Sequence, residues 1–180
     1  MAISNINSLS LAGAGAPGLS LITSGTMTAA ASISFNNCFT STYDQYQIVI
    51  AGMVGSTAID LGMRLRAAAV DASGANYAYA WSGGGPAPAD SARAVSQTRM
   101  IIGPNVGTGR TDMSFTVYGP ALASATGWTG FMNRDGGNTA YSVVGGHTVT
   151  TAYDGFTLLT SSGTVTTPTN GIRVYGYKNI

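Results

Sequence analysis

Glutamate is absent from the 180 residues, and lysine, histidine and cysteine occur once each. With no glutamate and a single lysine, the chain has almost none of the charged residues with which soluble proteins commonly build exposed helices. A single histidine excludes a multi-histidine metal site, and a single cysteine excludes an internal disulfide. Charged residues are only 8% of the chain and the net charge is +1, so the overall charge gives no reason to expect nucleic acid as a partner.

Long apolar runs are also missing. No run approaches the roughly 18 residues of a transmembrane helix, so the sequence predicts no membrane insertion. The N-terminus lacks the basic region and the apolar core of a secretory signal. Cys38 is interpreted as a small buried hydrophobe rather than a reactive thiol, because free cysteine is among the most buried residue types.

The residues that are abundant, namely Thr, Ser, Gly, Ala, Val and Tyr, are those of strands and turns. No helical segment separates the apolar runs, as the crossovers of a parallel sheet would require. The sequence therefore predicts an all-β fold, an antiparallel β-sandwich of jelly-roll type. The predicted strands are 19–23, 31–35, 46–54, 58–66, 77–81, 97–102, 112–118, 127–132, 139–144, 155–160 and 171–177.

Residues 46–66 show the clearest strand pattern and are predicted to form a β-hairpin that turns at residues 55–57. In its second strand the alternation separates an apolar face from a polar one that contains Arg64 and Arg66. Only eight residues of the chain are basic, so two arginines on one strand face form a local cluster of positive charge. They are predicted to contact an aspartate of a neighbouring subunit, and the alternative is an ordinary solvated face.

Residues 1–18 are small, polar and rich in glycine, so they are predicted to be an N-terminal docking arm, with the β-sandwich domain spanning residues 19–180. The arm would dock on a neighbouring subunit through its apolar side chains, and the alternative is a frayed terminus. These side chains are Ile3, Ile6, Leu9 and Leu11.

Two glycine-rich segments are predicted to be loops. Residues 83–94 begin with Gly-Gly-Gly-Pro-Ala-Pro, which suits neither a helix nor a central strand. Residues 103–111 resemble a phosphate-binding loop superficially, but the glycine spacing is one residue too long and Arg110 stands where lysine is needed. They are predicted to be a plain hairpin loop, and no cofactor is expected.

Catalytic patterns are weak. His147 would have to serve any Ser-His-Asp device, yet no Gly-x-Ser-x-Gly motif occurs, and the histidine is predicted to be an exposed loop or strand residue. The seven aspartates form neither a calcium loop nor an evident carboxylate pair. The sequence therefore predicts neither enzymatic activity nor a metal site.

Aromatic side chains could supply a surface for carbohydrate binding, since tyrosine and tryptophan stack on apolar faces and also form hydrogen bonds. Tyr77, Tyr79 and Trp81 are two residues apart and share one strand face, and Trp128 lies on another strand. The alternative is that this face belongs to the core or to a subunit interface.

Three segments resemble a group of tailed-bacteriophage virion proteins. Residues 35–46, Phe-Asn-Asn-Cys-Phe-Thr-Ser-Thr-Tyr-Asp-Gln-Tyr, lead into a β run as in that group. The likeness continues through Leu65 and Arg66 into residues 71–77 and returns in residues 171–177. Members of the group tend to carry Phe-Asn-Gly after the arginine strand, whereas this chain has Ala-Ala-Ala-Val.

The resemblance implies a small β-sandwich protein of the virion that forms symmetric trimers and has no catalytic residues. The expected function is a tail-fibre or receptor-binding appendage, docked by its arm and presenting the sandwich to the host surface. Its expected partners are copies of itself, other virion proteins, and a host-surface glycan or protein. A capsid decoration or cement protein is the close alternative, and a polysaccharide-acting enzyme is the alternative from another class.

Overall fold

The computed structural model describes residues 18–85, 88–135 and 138–178. Fourteen strands are defined in this part of the chain, and every ladder between them is antiparallel. They are β1 Gly18–Gly25, β2 Ser32–Phe35, β3 Gln45–Gly55, β4 Ile59–Ala67, β5 Val70–Asp71, β6 Tyr77–Gly84, β7 Asp90–Gln97, β8 Met100–Val106, β9 Thr111–Tyr118, β10 Thr126–Arg134, β11 Thr139–His147, β12 Gly155–Thr160, β13 Val165–Thr166 and β14 Ile172–Lys178.

Two unequal sheets make up the fold. The large sheet has the order β1-β14-β3-β9-β10-β11-β6-β7, with the short β13 also paired to β3. The small sheet has the order β2-β12-β4, and both β5 and β8 pair with the far side of β4. The predicted antiparallel β-sandwich is confirmed.

The core lies between the sheets and is built from alternate residues of the strands. In β4 the apolar face is fully buried, from Ile59 at 3% exposure to Leu65 at 0%. Ile48 and Phe115 of the large sheet belong to the same buried cluster as Met63. Cys38 is 1% exposed, and burial raises the pKa of its thiol to about 12, so the predicted buried hydrophobe is confirmed.

The predicted hairpin of residues 46–66 is wrong, although both of its strands exist. β3 belongs to the large sheet and is flanked there by β14 and β9, so neither of its edges is free for β4. The chain crosses to the small sheet at residues 56–58, and the apolar faces of β3 and β4 meet across the core. The backbone N–H of Gly55 donates to the carbonyl of Gly107 at 2.8 Å instead of to β4.

Residues 103–111 form a second crossing of the same kind, so the hairpin-loop prediction is also wrong. Their first part belongs to β8 of the small sheet, and Thr111 opens β9 of the large sheet. The hydrogen bond from Gly55 to Gly107 joins the two crossings side by side.

The loop predicted at residues 83–94 is only partly present. β6 continues to Gly84, and Asp90–Gln97 forms the edge strand β7. This strand has one neighbour and is exposed at most positions, so its sequence lacks the alternation by which half-buried strands are recognised.

The predicted arm, including Ile3, Ile6, Leu9 and Leu11, lies outside the described residues except for Gly18, the first residue of β1. The register places Gly18 opposite Lys178 and Gly25 opposite Ile172. Ile172 lies on a row that continues to Gly83 and Asp90. The chain thus enters the sandwich at the end away from Asp90. Gly18 lies about 23 Å from the row that contains Asp90, which is the length of the eight-residue strand β1.

Candidate binding cleft and outer sheet face

The aromatic face of β6 lies between the sheets rather than on the surface. Tyr77 is 0% exposed and Trp128 of β10 is 1% exposed, so the prediction that they form a binding surface is wrong. The indole of Trp128 lies over Gly145, where a Cβ would come within 2.1 Å of it. For Tyr77 and Trp128 the alternative interpretation, that the aromatic residues belong to the core, is confirmed.

The hydroxyl of Tyr77 connects the two sheets. It accepts the backbone N–H of Leu65 at 2.9 Å and donates to the carbonyl of Ala72 at 2.8 Å. On the edge of β4 that faces away from β12, pairing to β8 ends at Met63 and pairing to β5 begins at Arg66. The Tyr77 hydroxyl therefore fills a gap in the ladder. Burial raises its pKa above the ordinary tyrosine value.

Trp81 occupies a different position because the two sheets differ in width. Across the core β8 contacts β11 and β6, and no strand of the described small sheet makes comparable contact with the edge strand β7. Trp81 and Tyr79 are therefore half-buried at an open side of the sandwich. The Trp81 ring meets the Tyr141 ring edge-on, with centroids 5.3 Å apart.

A cleft of about 340 Å³ opens beside Trp81. Its lining comes from β6, from the starts of β4 and β7, and from the end of β8. The residues that determine its chemistry are Ile59, Asp60, Trp81, Asp90, Pro104 and Asn105. The cleft thus combines one aromatic ring, two carboxylates and one amide side chain.

Hydrogen bonds fix the polar wall of this cleft. Asp60 Oδ1 accepts the backbone N–H of Asn105 at 2.9 Å, and the N–H of Asp60 donates to Ser161 Oγ at 2.9 Å. The carbonyl of Asn105 accepts Arg134 Nη1 at 2.6 Å. Asn105 has a positive φ of 51°, a conformation that asparagine tolerates better than most residues.

Three polar groups of the cleft have no hydrogen-bond partner within residues 18–85, 88–135 and 138–178. They are Oδ2 of Asp60, the carboxylate of Asp90 and the side-chain amide of Asn105. Asn105 also lines a neighbouring cleft of about 620 Å³ that contains Arg134 and Asp135. A ligand longer than the first cleft could continue into the second.

His147 lies at the opposite end of the sandwich and is buried, at 1% exposure, so the prediction of an exposed residue is wrong. Its ring lies 4.2 Å from the Tyr77 ring, and its Nδ1 is 3.2 Å from the Tyr153 hydroxyl. Burial lowers its pKa, opposed by a backbone hydrogen bond at Val149. The partner of the imidazole is thus a phenol, whereas a Ser-His-Asp device would place a carboxylate there.

Arg66 finds its partners within its own chain. Its Nη1 contacts an Asp71 carboxylate oxygen and donates to Thr157 Oγ1 at 2.7 Å, and its Nε donates to Asn36 Oδ1 at 3.0 Å. Arg64 Nε donates to the carbonyl of Thr98 at 3.0 Å. The side chain of Arg66 is 13% exposed. The contact of Arg64 and Arg66 with a neighbouring subunit stays a prediction.

The outer face of the large sheet is a second candidate surface, and it is nearly free of charge. One row of residues, each paired with the next across neighbouring strands, crosses all eight strands and carries a charge only on β7. Its members, from β1 to β7, are Leu21, Tyr175, Gln47, Thr116, Thr129, Val144, Ala80 and Arg93. The next row carries a charge only on β14, with the sequence Arg173, Val49, Ser114, Phe131, Ser142, Ser82 and Ser91.

Several large apolar side chains of this face are exposed. Phe131 is 54% exposed, Val144 51% and Leu21 59%. Phe131 and Val49 border a shallow, mainly apolar depression of about 280 Å³. The edge strand β1, Gly-Leu-Ser-Leu-Ile-Thr-Ser-Gly, carries neither charge nor proline, the devices by which edge strands usually avoid pairing with another chain.

Comparisons with protein-family models, with curated proteins and with solved structures found no match. The resemblance to virion proteins therefore stays a prediction. Within the described residues, no group of three or more His, Cys, Asp or Glu side chains could hold a metal ion. That part of the chain also contains no helix with the length and hydropathy to cross a membrane.

Proposed function

We propose that the protein is a structural subunit of a bacteriophage virion, a tail-fibre or receptor-binding appendage that assembles as a trimer. The arm of residues 1–18 docks the subunit on the particle, and the β-sandwich contacts the host surface. The single observation that supports this proposal most is the nearly uncharged outer face of the large sheet.

The size of this face suits a stable interface. Eight strands about 4.8 Å apart span about 34 Å, and strands of eight residues are about 23 Å long, so the face covers about 800 Å². A standard protein interface buries about 800 Å² on each partner. A face of this area with exposed Phe131 and Val144 and almost no charge is the kind of surface that another subunit covers.

The direction of the chain supports an appendage. Residues 1–17 lead into β1 at one end of the sandwich, and the Trp81 cleft opens near the row of Gly25 and Asp90, towards the other end. Attachment and host contact can therefore take place at opposite ends of the same subunit.

The mass of the purified protein in solution tests the assembly. We expect about three times the 18.2 kDa of one chain by light scattering over a range of concentrations. The change Phe131→Asp places a charge at the centre of the outer face and should yield monomers. Val70→Asp is the matched control, because Val70 is 68% exposed on the small sheet. A folded monomer for the unchanged protein would overturn the proposal.

A capsid decoration protein is the second candidate, because a broad uncharged face would also suit a protein clamped on a capsid surface. The number of copies per particle separates the two: hundreds indicate cement on the head, whereas a few dozen or fewer indicate an appendage. The proposed role includes no catalysis. Hydrolysis of host polysaccharide that disappears in the variant His147→Ala would contradict it.

A further inference from the structure

The cleft beside Trp81 brings together side chains that are far apart in the sequence and that nothing else in the fold employs together. Asp60 comes from the start of β4, Asp90 from the start of β7 and Asn105 from the end of β8. We propose that this cleft binds a neutral carbohydrate, with Trp81 as the stacking platform.

The chemistry of the lining matches that of a sugar ring. A pyranose presents a face of C–H groups, which packs on an aromatic ring, and a rim of hydroxyl groups, which both donate and accept hydrogen bonds. Trp81 supplies the ring. The carboxylates of Asp60 and Asp90 accept from hydroxyl groups, and the amide of Asn105 can both donate and accept. Each class of group on the sugar thus has a counterpart in the cleft.

The polar groups are held in place before any ligand binds. Asp60 Oδ1 is held by the N–H of Asn105, which leaves Oδ2 for a ligand. The backbone of Asn105 is fixed on both sides, by Asp60 and by the Arg134 guanidinium. Preformed polar groups reduce the entropy lost on binding. A volume of about 340 Å³ lies at the lower end of the range for ligand sites, about 300 to 1,000 Å³, and suits one or two sugar units.

A cationic ligand is the competing assignment, because the residues that line the cleft include two carboxylates, Asp60 and Asp90, and no basic side chain. Free lysine is therefore tested beside the sugars. The uncharged part of the lining, with Ile59, Trp81 and Pro104, favours a ligand that has an apolar face.

This inference names the host-surface partner in the proposed function and in that sense rests on it, but the cleft and the outer face can be tested separately. The probes are free D-glucose, D-galactose, D-mannose, L-rhamnose and N-acetyl-D-glucosamine, measured one by one by saturation-transfer NMR with the full chain. We expect at least one to bind with a dissociation constant on the order of 1 mM, because a small and open cleft buries little of its ligand.

Variants of the cleft show where the sugar binds. Trp81→Ala should abolish the signal, and Asp90→Asn should weaken binding several-fold without affecting the fold, since Asp90 is exposed. Trp81→Phe preserves an aromatic ring against Tyr141 and should retain weaker binding, which separates loss of stacking from loss of folding. Phe131→Ala is the matched control on the outer face and should leave sugar binding unchanged.

The two proposals fail in different ways. Sugar binding by a protein that remains monomeric would support the cleft and contradict the assembly. Assembly without a signal from any of the five sugars would contradict the cleft alone. Binding that survives Trp81→Ala, or a stronger response to free lysine than to every sugar, would also overturn the carbohydrate assignment.

Discussion

The hydroxyl of Tyr77 should be worth about 2 kcal/mol of folding free energy, because it occupies the place of a missing strand partner. In the variant Tyr77→Phe the backbone N–H of Leu65 loses its acceptor and the carbonyl of Ala72 loses a donor. A buried N–H without a partner costs about 1 to 3 kcal/mol. Ala72 is only half-buried, so water can replace its donor at little cost. The ring itself remains, with its contact to His147 at 4.2 Å.

Equilibrium unfolding in urea measures this loss. With a slope of about 2 kcal/mol per molar urea, a loss of about 2 kcal/mol lowers the midpoint by about 1 M at unchanged slope. Tyr141→Phe is the matched control: Tyr141 is also buried on the inner face of the large sheet, and its hydroxyl has no hydrogen-bond partner among the described residues. Its loss should cost less than about 0.5 kcal/mol. Equal midpoints for the two variants would refute the role assigned to the Tyr77 hydroxyl.

Four further predictions concern titratable and charged groups. Burial raises the pKa of the Cys38 thiol to about 12, so Cys38 should stay unreactive towards a disulfide reagent at about pH 8 until the protein unfolds. Burial lowers the pKa of His147 below 6.5, so on acidification the unfolded chain takes up a proton at a higher pH than the folded chain does. The free energy of unfolding should therefore fall as the pH drops below 6.5. His147→Gln should flatten this pH dependence in urea unfolding. Arg66→Ala should lower the free energy of unfolding by about 1.5 to 3 kcal/mol through loss of charge-assisted hydrogen bonds. Light scattering on the double variant Arg64→Ala, Arg66→Ala tests the predicted intersubunit contact: dissociation would support it, and unchanged assembly would remove it.

The positions of most strands could be predicted because they are half-buried. β9 alternates strictly between buried and more exposed residues, β4 does so except at the buried Gly62 and at its C-terminal end, and this period of two is visible in the sequence. The composition, without glutamate and with a single lysine, already indicated an all-β chain. β7 was missed because an edge strand that is exposed on both faces has no apolar period to reveal it.

Strand pairing could not be predicted, because alternation gives the same pattern for a hairpin and for a crossing between sheets. β3 and β4 each have one apolar face, and a hairpin would place both faces on the same side of one sheet. In the sandwich the two faces meet across the core instead. What decides between the arrangements is that β14, from the far end of the chain, and β9 occupy both edges of β3, and no local sequence signal reports this.

The candidate site was predicted in part. Trp81 was named, but Tyr77 and Trp128 of the same proposed surface are core residues. Trp81 is half-buried because it lies beside the edge strand β7, which no strand of the described small sheet covers. Asp60, Asp90 and Asn105 were missed. Their convergence depends on the two crossings between sheets and on β7, the features that the sequence did not reveal. The Pro-Asn pair at residues 104–105, in the last part of β8, was the one local sign that a strand ends close to this point.

The few charged residues of the chain are unevenly distributed over the fold. Arg66 and Asp71 neutralise each other on the small sheet, and Asp60 and Asp90 lie in the cleft. The middle of the large sheet's outer face is left with hydroxyl, amide and apolar side chains, where a solitary soluble domain would carry charges to prevent association. The charges that this outer face does carry are Arg93 on β7, Arg173 on β14 and Asp112, which is ion-paired to Arg110. Most of the chain's broadest surface is therefore suited to contact with another subunit. This distribution links the composition to the proposed assembly, and the charge introduced by Phe131→Asp reverses it at the point where the face is most apolar.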